Sequence, residues 1–222
     1  MIYGLIPIGG QGSRLGLPFS KELLPQKNFN YYNPVGNHVI SKMKSAGADK
    51  IYFIHGLDFK QDVMTYFHNE NYHHVRQNKL GVTNVLADFY QHAQPNDNDK
   101  ILFGLPDTVF SGNTFRNMLN IDGIVCTLFI IDDNSKVDRL SINGTEFQVK
   151  ASKSVNNMNM AWGTIKFDGI DIKNIINDRI LDLEIGDILN LYPNIKIYGK
   201  EYFDLGTWIS YNNYIMSNDK GI

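Results

Sequence analysis

Short apolar runs alternate with segments of helical periodicity through the first half of the chain. The runs at residues 2–8, 50–55, 72–77, 100–105 and 123–131 predict strands. The segments 34–45, 58–69, 82–93 and 113–120 between them predict helices. Such alternation argues for an α/β fold with a mostly parallel sheet covered on both faces. In that architecture ligands collect beyond the carboxyl ends of the strands. After about residue 135 the pattern changes to shorter strands, at 138–142, 147–151 and 160–167, joined by polar loops. Helices return at 170–176 and 184–191, and a last one follows Gly206. No internal repeat, low-complexity tract or long linker divides the chain. Residues 1–222 therefore read as one domain whose second half is an insertion or lid on the same sheet.

The first strand breaks into Gly9-Gly10-Gln11-Gly12-Ser13-Arg14, and Lys21-Glu22-Leu23-Leu24-Pro25 follows. Glycine removes the side chains that would keep backbone N–H groups away from an anion. Arg14 adds a fork of donors and Lys21 a point charge, which together describe a triphosphate cradle. The glycines alone would equally suit an ordinary turn; the two cations shift the reading. A Walker loop is excluded, because Gly12 is followed by Ser13-Arg14 and not by Lys-Ser/Thr. A dinucleotide fingerprint is excluded as well, because Gly10, Gly12 and Gly16 are one residue too widely spaced and run into Pro18.

A net charge of −2 gives no bulk attraction to nucleic acid or to an anionic membrane, so phosphate binding must be local. The one cysteine, Cys126, lies in an apolar run and reads as a buried structural thiol. No apolar segment approaches the ~20 residues of a membrane span. The amino terminus shows no secretory pattern. A cytoplasmic protein, monomeric or a small homo-oligomer, is expected, with neither nucleic acid nor membrane as partner.

Two carboxylates stand out. Asp107 ends the apolar run 100–105 after Pro106, and Asp204 lies in Tyr202-Phe203-Asp204-Leu205-Gly206-Thr207. Either alone would suit a helix cap or turn. Converging beside a phosphate cradle, the two would bind Mg²⁺, a hard cation that prefers oxygen.

At this point the chain resembles the sugar-1-phosphate nucleotidyltransferase, or nucleotide-sugar pyrophosphorylase, family. The stretch Ile6 to Arg14, Lys21-Glu22-Leu23-Leu24-Pro25 and Leu105-Pro106-Asp107 are similar to the uridylyltransferase branch. Leu183-Glu184-Ile185-Gly186-Asp187 and Asp204-Leu205-Gly206-Thr207 are more similar to the thymidylyltransferase branch. Asn33-Pro34-Val35, Ala46-Gly47-Ala48 and Gln77 with Gly81-Val82-Thr83-Asn84 fill the intermediate positions in order. The resemblance implies a Rossmann-like, mixed but mostly parallel sheet with helices on both faces and a small β-rich acceptor-binding insertion. Residues 1–135 would form the nucleotide-binding part, and 136–222 the acceptor-binding part with the C-terminal helices.

The implied reaction transfers NMP from an NTP to a phosphorylated acceptor, a sugar 1-phosphate, releasing pyrophosphate with Mg²⁺ as cofactor. Carried over residue by residue, Gly9, Gly10, Gly12, Ser13 and Arg14 would hold the triphosphate. Lys21 would neutralise the α-phosphate, and Asp107 and Asp204 would hold the metal. Gln77 and Gly81 would read a pyrimidine edge, while Lys150, Gly163 and Glu184 would contact the acceptor. Arg14, Lys21 and Asp107 form the expected catalytic set.

The chain departs from the family at Val149-Lys150, where an acidic partner would precede the lysine, and Lys153 competes for its role. Arg14 and Lys21 are also closer than in most sugar pyrophosphorylases. That spacing keeps open a cytidylyltransferase acting on choline phosphate or another small phosphate. A silent nucleotide-sugar binder is the remaining alternative, and retention of Arg14, Lys21, Asp107 and Asp204 argues against it. His73-His74 with His68 offers metal-type ligands, but adjacent strand residues face opposite sides. The run 96–99 reads as a solvated turn.

Overall fold

A computed structural model describes residues 1–10, 14–27, 31–131, 137–141, 143–152, 159–178 and 183–217. The first half follows the expected alternation: β1 (Ile2–Ile8), α1 (Gly36–Ser45), β2 (Lys50–His55), α2 (Gln61–Tyr66), β3 (Tyr72–Arg76), α3 (Val82–Ala93) and β4 (Lys100–Gly104). There follow β5 (Thr108–Phe110), α4 (Thr114–Met118), β6 (Ile124–Ile130), β7 (Val137–Leu140), β8 (Phe147–Ala151), β9 (Met160–Asp168) and α5 (Gly169–Asn177). The chain closes with α6 (Ile185–Leu191), β10 (Asn194–Tyr198), β11 (Tyr202–Asp204) and α7 (Trp208–Met216).

The main sheet has the order β10-β6-β9-β4-β1-β2-β3, with the β7–β8 hairpin attached through β9. Pairs β1–β2, β1–β4, β2–β3 and β10–β6 are parallel, and only β9 runs against its neighbours along that path. The sheet is thus mixed and mostly parallel, as expected. Successive residues of β1 feed opposite layers. Leu5 belongs to the buried cluster that holds Phe89, Phe103 and Ile172, whereas Ile6 belongs to the one that holds Val39, Met43 and Phe115. Burying each such side chain contributes ~1.5–3 kcal/mol, which holds helices on both faces.

Three short strands, β5, β10 and β11, go beyond the elements that the pattern predicted. The run 96–99 is a turn with Asn96, Asp97 and Asn98 exposed, as expected, but Asp99 corrects that reading: it is buried and accepts the Asn96 N–H at 2.8 Å. At the rim opposite the carboxyl ends of the parallel strands, the fully buried Lys166 is held by the Ile121 carbonyl (2.6 Å), the Gly123 carbonyl (2.5 Å) and Asp168 (2.9 Å). Those acceptors offset the cost of burying its charge.

Candidate active site

A cleft of about 490 Å³ opens at the carboxyl ends of β1 and β4. Its floor is the turn after β1. A Cβ on Gly9 would stand 3.3 Å from the Gly56 Cα, and one on Gly56 would stand 3.1 Å from the Gly9 carbonyl. Side chains at Gly9 and Gly56 would crowd the two strand ends, and their absence leaves the Gly9-Gly10 backbone bare toward the cleft. Gly12 and Ser13, the other two cradle candidates, lie outside the described residues.

Lys21 opens a single 3₁₀ turn, Lys21–Leu23, anchored on both sides by the N-terminal end of α2 and its cap residue Lys60. Ser20 donates its N–H and hydroxyl to Asp62 at 2.7 and 2.8 Å. Buried Glu22 accepts both its contacts from the Lys60 ammonium, at 2.8 and 3.0 Å. Between these tethers the Lys21 ammonium pairs with Asp107. Burial alone would lower the Lys21 pKa, but the Asp107 carboxylate outweighs it and raises it. Burial likewise opposes ionisation of Asp107, and the Lys21 charge overcomes that and holds it below the usual carboxylate range. Both groups are therefore charged at neutral pH.

The β5–β11 ribbon brings the second carboxylate alongside. Asp204 is registered against Thr108, and the Leu205 N–H donates to the Asp107 carbonyl at 2.8 Å. Asp204 Oδ1 accepts the Gly206 N–H at 2.9 Å. Arg14 lies over the same turn, since a Cβ on Gly206 would stand 2.9 Å from its Nη2 and 3.0 Å from Asp204 Oδ1. Arg14, Lys21, Asp107 and Asp204 all line the one cleft. Among the described residues no group of three or more His, Cys, Asp or Glu is placed to hold a metal ion by itself. Asp107 and Asp204 are two carboxylates of the cleft that could hold a hard cation such as Mg²⁺, which prefers oxygen ligands.

Gln77 and Gly81 meet on an adjoining wall. The Gln77 backbone N–H donates to the His55 carbonyl at 3.0 Å, and its Nε2 donates to the Gly81 carbonyl at 3.0 Å. Turning the amide over would set oxygen against oxygen there, so its orientation is fixed. Oε1 stands 3.3 Å from a Cβ built on Gly9, at the cleft wall. Leu80, Val82, Val85 and Leu105 supply apolar surface around it.

The opposite wall carries Lys150, Trp162 and Glu184. Glu184 caps α6 and pairs with the Lys150 ammonium. Its hydrogen bond, stronger than the opposing burial, raises the Lys150 pKa. The carboxylate missing beside Lys150 in sequence is thus supplied from another element. Gly163 is not among the cleft-lining residues: its missing side chain would collide with Tyr202 (2.5 Å) and Phe129 (2.7 Å), and the neighbouring Trp162 faces the cleft. Lys153 lies outside the described residues.

Sequence reasoning missed three supports. Asp138 is a buried carboxylate in the cleft wall, and the Glu22–Lys60 pair braces the Lys21 turn. The third is a histidine chain. The Lys60 N–H donates to His55 Nδ1 (3.1 Å), His55 Nε2 to His74 Nδ1 (2.8 Å), and His74 Nε2 to the Phe67 carbonyl (3.0 Å). An amide donor at one end and a carbonyl at the other fix its direction, with both rings neutral. His73 lies apart from this chain and stacks on Tyr52 at 4.6 Å. A polar residue within an apolar strand end, as at His55, was the available signal.

No family model and no curated protein matches the chain, whereas solved structures do. A protein assigned as glucose-1-phosphate thymidylyltransferase from Bacillus anthracis, solved with sucrose, superposes at a TM-score of 0.78 and 22% identity. The match covers 100% of this chain and 98% of that one. A UDP-glucose pyrophosphorylase complexed with UDP-glucose gives 0.72 at 17% identity, over 97% and 96% of the two chains. The fold is that of the sugar-1-phosphate nucleotidyltransferases. A UDP-glucose pyrophosphorylase from Acinetobacter baumanii gives 0.69 at 13% identity, over 97% and 92%. The resemblance read from motifs and the likeness of fold agree.

Proposed function

We propose that this chain is a nucleotidyltransferase that moves NMP from UTP or dTTP to a sugar 1-phosphate. The observation that carries the reading is the single cleft with Lys21, Asp107, Asp204 and the Gly9-Gly10 turn on one side and the Lys150–Glu184 pair on the other. An acceptor phosphate oxygen attacks the α-phosphorus of the NTP. The new O–P bond forms as the bond to the β-phosphate oxygen breaks, and pyrophosphate leaves, so no covalent intermediate on the protein is needed.

The protein contributes position and charge. Gly9 and Gly10 offer backbone donors to the triphosphate. Arg14 and Lys21 oppose the negative charge that gathers on the α- and β-phosphates. Asp107 and Asp204 would hold Mg²⁺, which neutralises phosphate charge when bound. Lys150 would meet the acceptor phosphate, and Glu184 the sugar hydroxyls.

Base choice follows from Gln77. With Nε2 committed to Gly81, Oε1 offers an acceptor, which matches the N3–H of uracil or thymine and opposes the bare N3 of cytosine. The Glu184 carboxylate also removes one argument for a small acceptor such as choline phosphate. A pyrophosphate-release screen of the common NTPs against phosphorylated sugars and alcohols tests both choices. UTP or dTTP with a sugar 1-phosphate should lead, and preference for a purine nucleotide or for CTP would overturn the reading of Gln77.

A further inference from the structure

We infer that Asp138 is a positioning residue that sets the acceptor wall of the cleft, an inference that rests on the function proposed above. Asp138 lies in β7 where the register with β8 shifts between Val137 and Arg139, and its carboxylate is buried. Three N–H groups from three elements converge on it. The Lys150 backbone N–H of β8 donates to Oδ1 at 3.0 Å. The Trp162 indole Nε1 of β9 donates to Oδ2 at 3.2 Å, and the Gly186 N–H of α6 to the same oxygen at 2.8 Å. A Cβ on Gly186 would lie 3.1 Å from the Asp138 Cβ, Cγ and Oδ2, so a side chain there would crowd the third contact.

Each donor carries part of the wall. The Lys150 backbone is in the left-handed region, with φ of 51°, which a side chain other than glycine adopts at a cost. The Asp138 contact holds it there, and from that conformation its ammonium reaches Glu184. Gly186 places the first turn of α6, and with it Glu184. The indole bond fixes Trp162, whose ring centroid lies 6.0 Å from Phe103, as a flat apolar wall of the cleft. One carboxylate therefore registers an ammonium, a carboxylate and an aromatic face against one another. Arg139 braces the same segment, donating to the Ala151 carbonyl at 3.1 Å. An amide at position 138 has one acceptor oxygen for three donors, so its NH₂ must face an N–H.

Asp138→Asn tests the assignment by steady-state kinetics. The KM for glucose 1-phosphate should rise about tenfold, as expected for one lost charged hydrogen bond, with the KM for UTP or dTTP within about twofold. Trp162→Phe keeps a ring and removes only the donor, so it should raise the acceptor KM in the same sense with a smaller effect. It covers the case in which Asp138→Asn does not fold. The chain has two tryptophans, so in a Trp208→Phe background the emission reports Trp162 alone. That emission should shift in Asp138→Asn. An acceptor KM unchanged in both variants, or equal losses for both substrates, would overturn the inference while the function stood. If the wild type uses no sugar phosphate, the functional reading falls instead, and an unmoved Trp162 emission would still refute the clamp.

Discussion

A largely buried ammonium stays charged only where something opposes its desolvation, and at Lys21 that is the Asp107 carboxylate. The proposed chemistry needs this charge most as the α-phosphate becomes crowded. Lys21→Ala should therefore lower kcat by about 10²–10³, equivalent to ~2.7–4 kcal/mol, with a far smaller change in the KM for the NTP. Steady-state kinetics on the folded variant checks it, and an unchanged kcat removes Lys21 from the chemical step. Gln77 illustrates a residue whose role sharpened with structure. The residue type alone allows the amide to donate or accept, whereas its Nε2 bond to the Gly81 carbonyl sets Oε1 at the cleft wall.

The Lys21 turn owes its position to a neighbouring element, the N-terminal end of α2 with its cap residue Lys60. Burial pushes the Glu22 pKa up even with the Lys60 ammonium against it, so the pair is sensitive to loss of either partner. Lys60→Met should cost about 3–5 kcal/mol in urea unfolding, because it strands a buried carboxylate. Combining it with Glu22→Gln should recover most of the loss, and equal costs for single and double variants would contradict the pairing. The longer elements were legible because apolar runs and helical periods are local: β1, β2, α3 and β8 carry the predicted bounds. The three-residue strands β5 and β11 are too short for a period to register, and β10 is an edge strand with no fully buried position. The site divides in the same way. Gly9, Lys21 and Asp107 follow strands whose ends could be read. The Lys150–Glu184 pair and the Asp138 clamp join elements distant in sequence, so only tertiary packing reveals them.

Across the whole molecule, two fully folded-in imidazoles link stability to pH. Burial depresses His38 to about 4, and burial with the adjacent His74 depresses His55 to about 3. The unfolded chain binds these protons near pH 6.5, so the stability they confer is complete above that pH. It is lost as pH falls toward their folded values, by up to roughly 1.4 kcal/mol per pH unit for each group. Urea midpoints from pH 8 down to pH 4 should decline below about 6.5, less steeply in His38→Gln, and a midpoint flat across that range would contradict the assignment. The proposed reaction needs both halves of the cleft at once. Its most direct test is ³¹P NMR of the chain with UTP or dTTP, glucose 1-phosphate and Mg²⁺. Paired resonances of a nucleoside diphosphate sugar should grow in step with inorganic pyrophosphate, and only when the acceptor is present. An unchanged spectrum, or release of NMP and pyrophosphate regardless of acceptor, would contradict the proposed reaction.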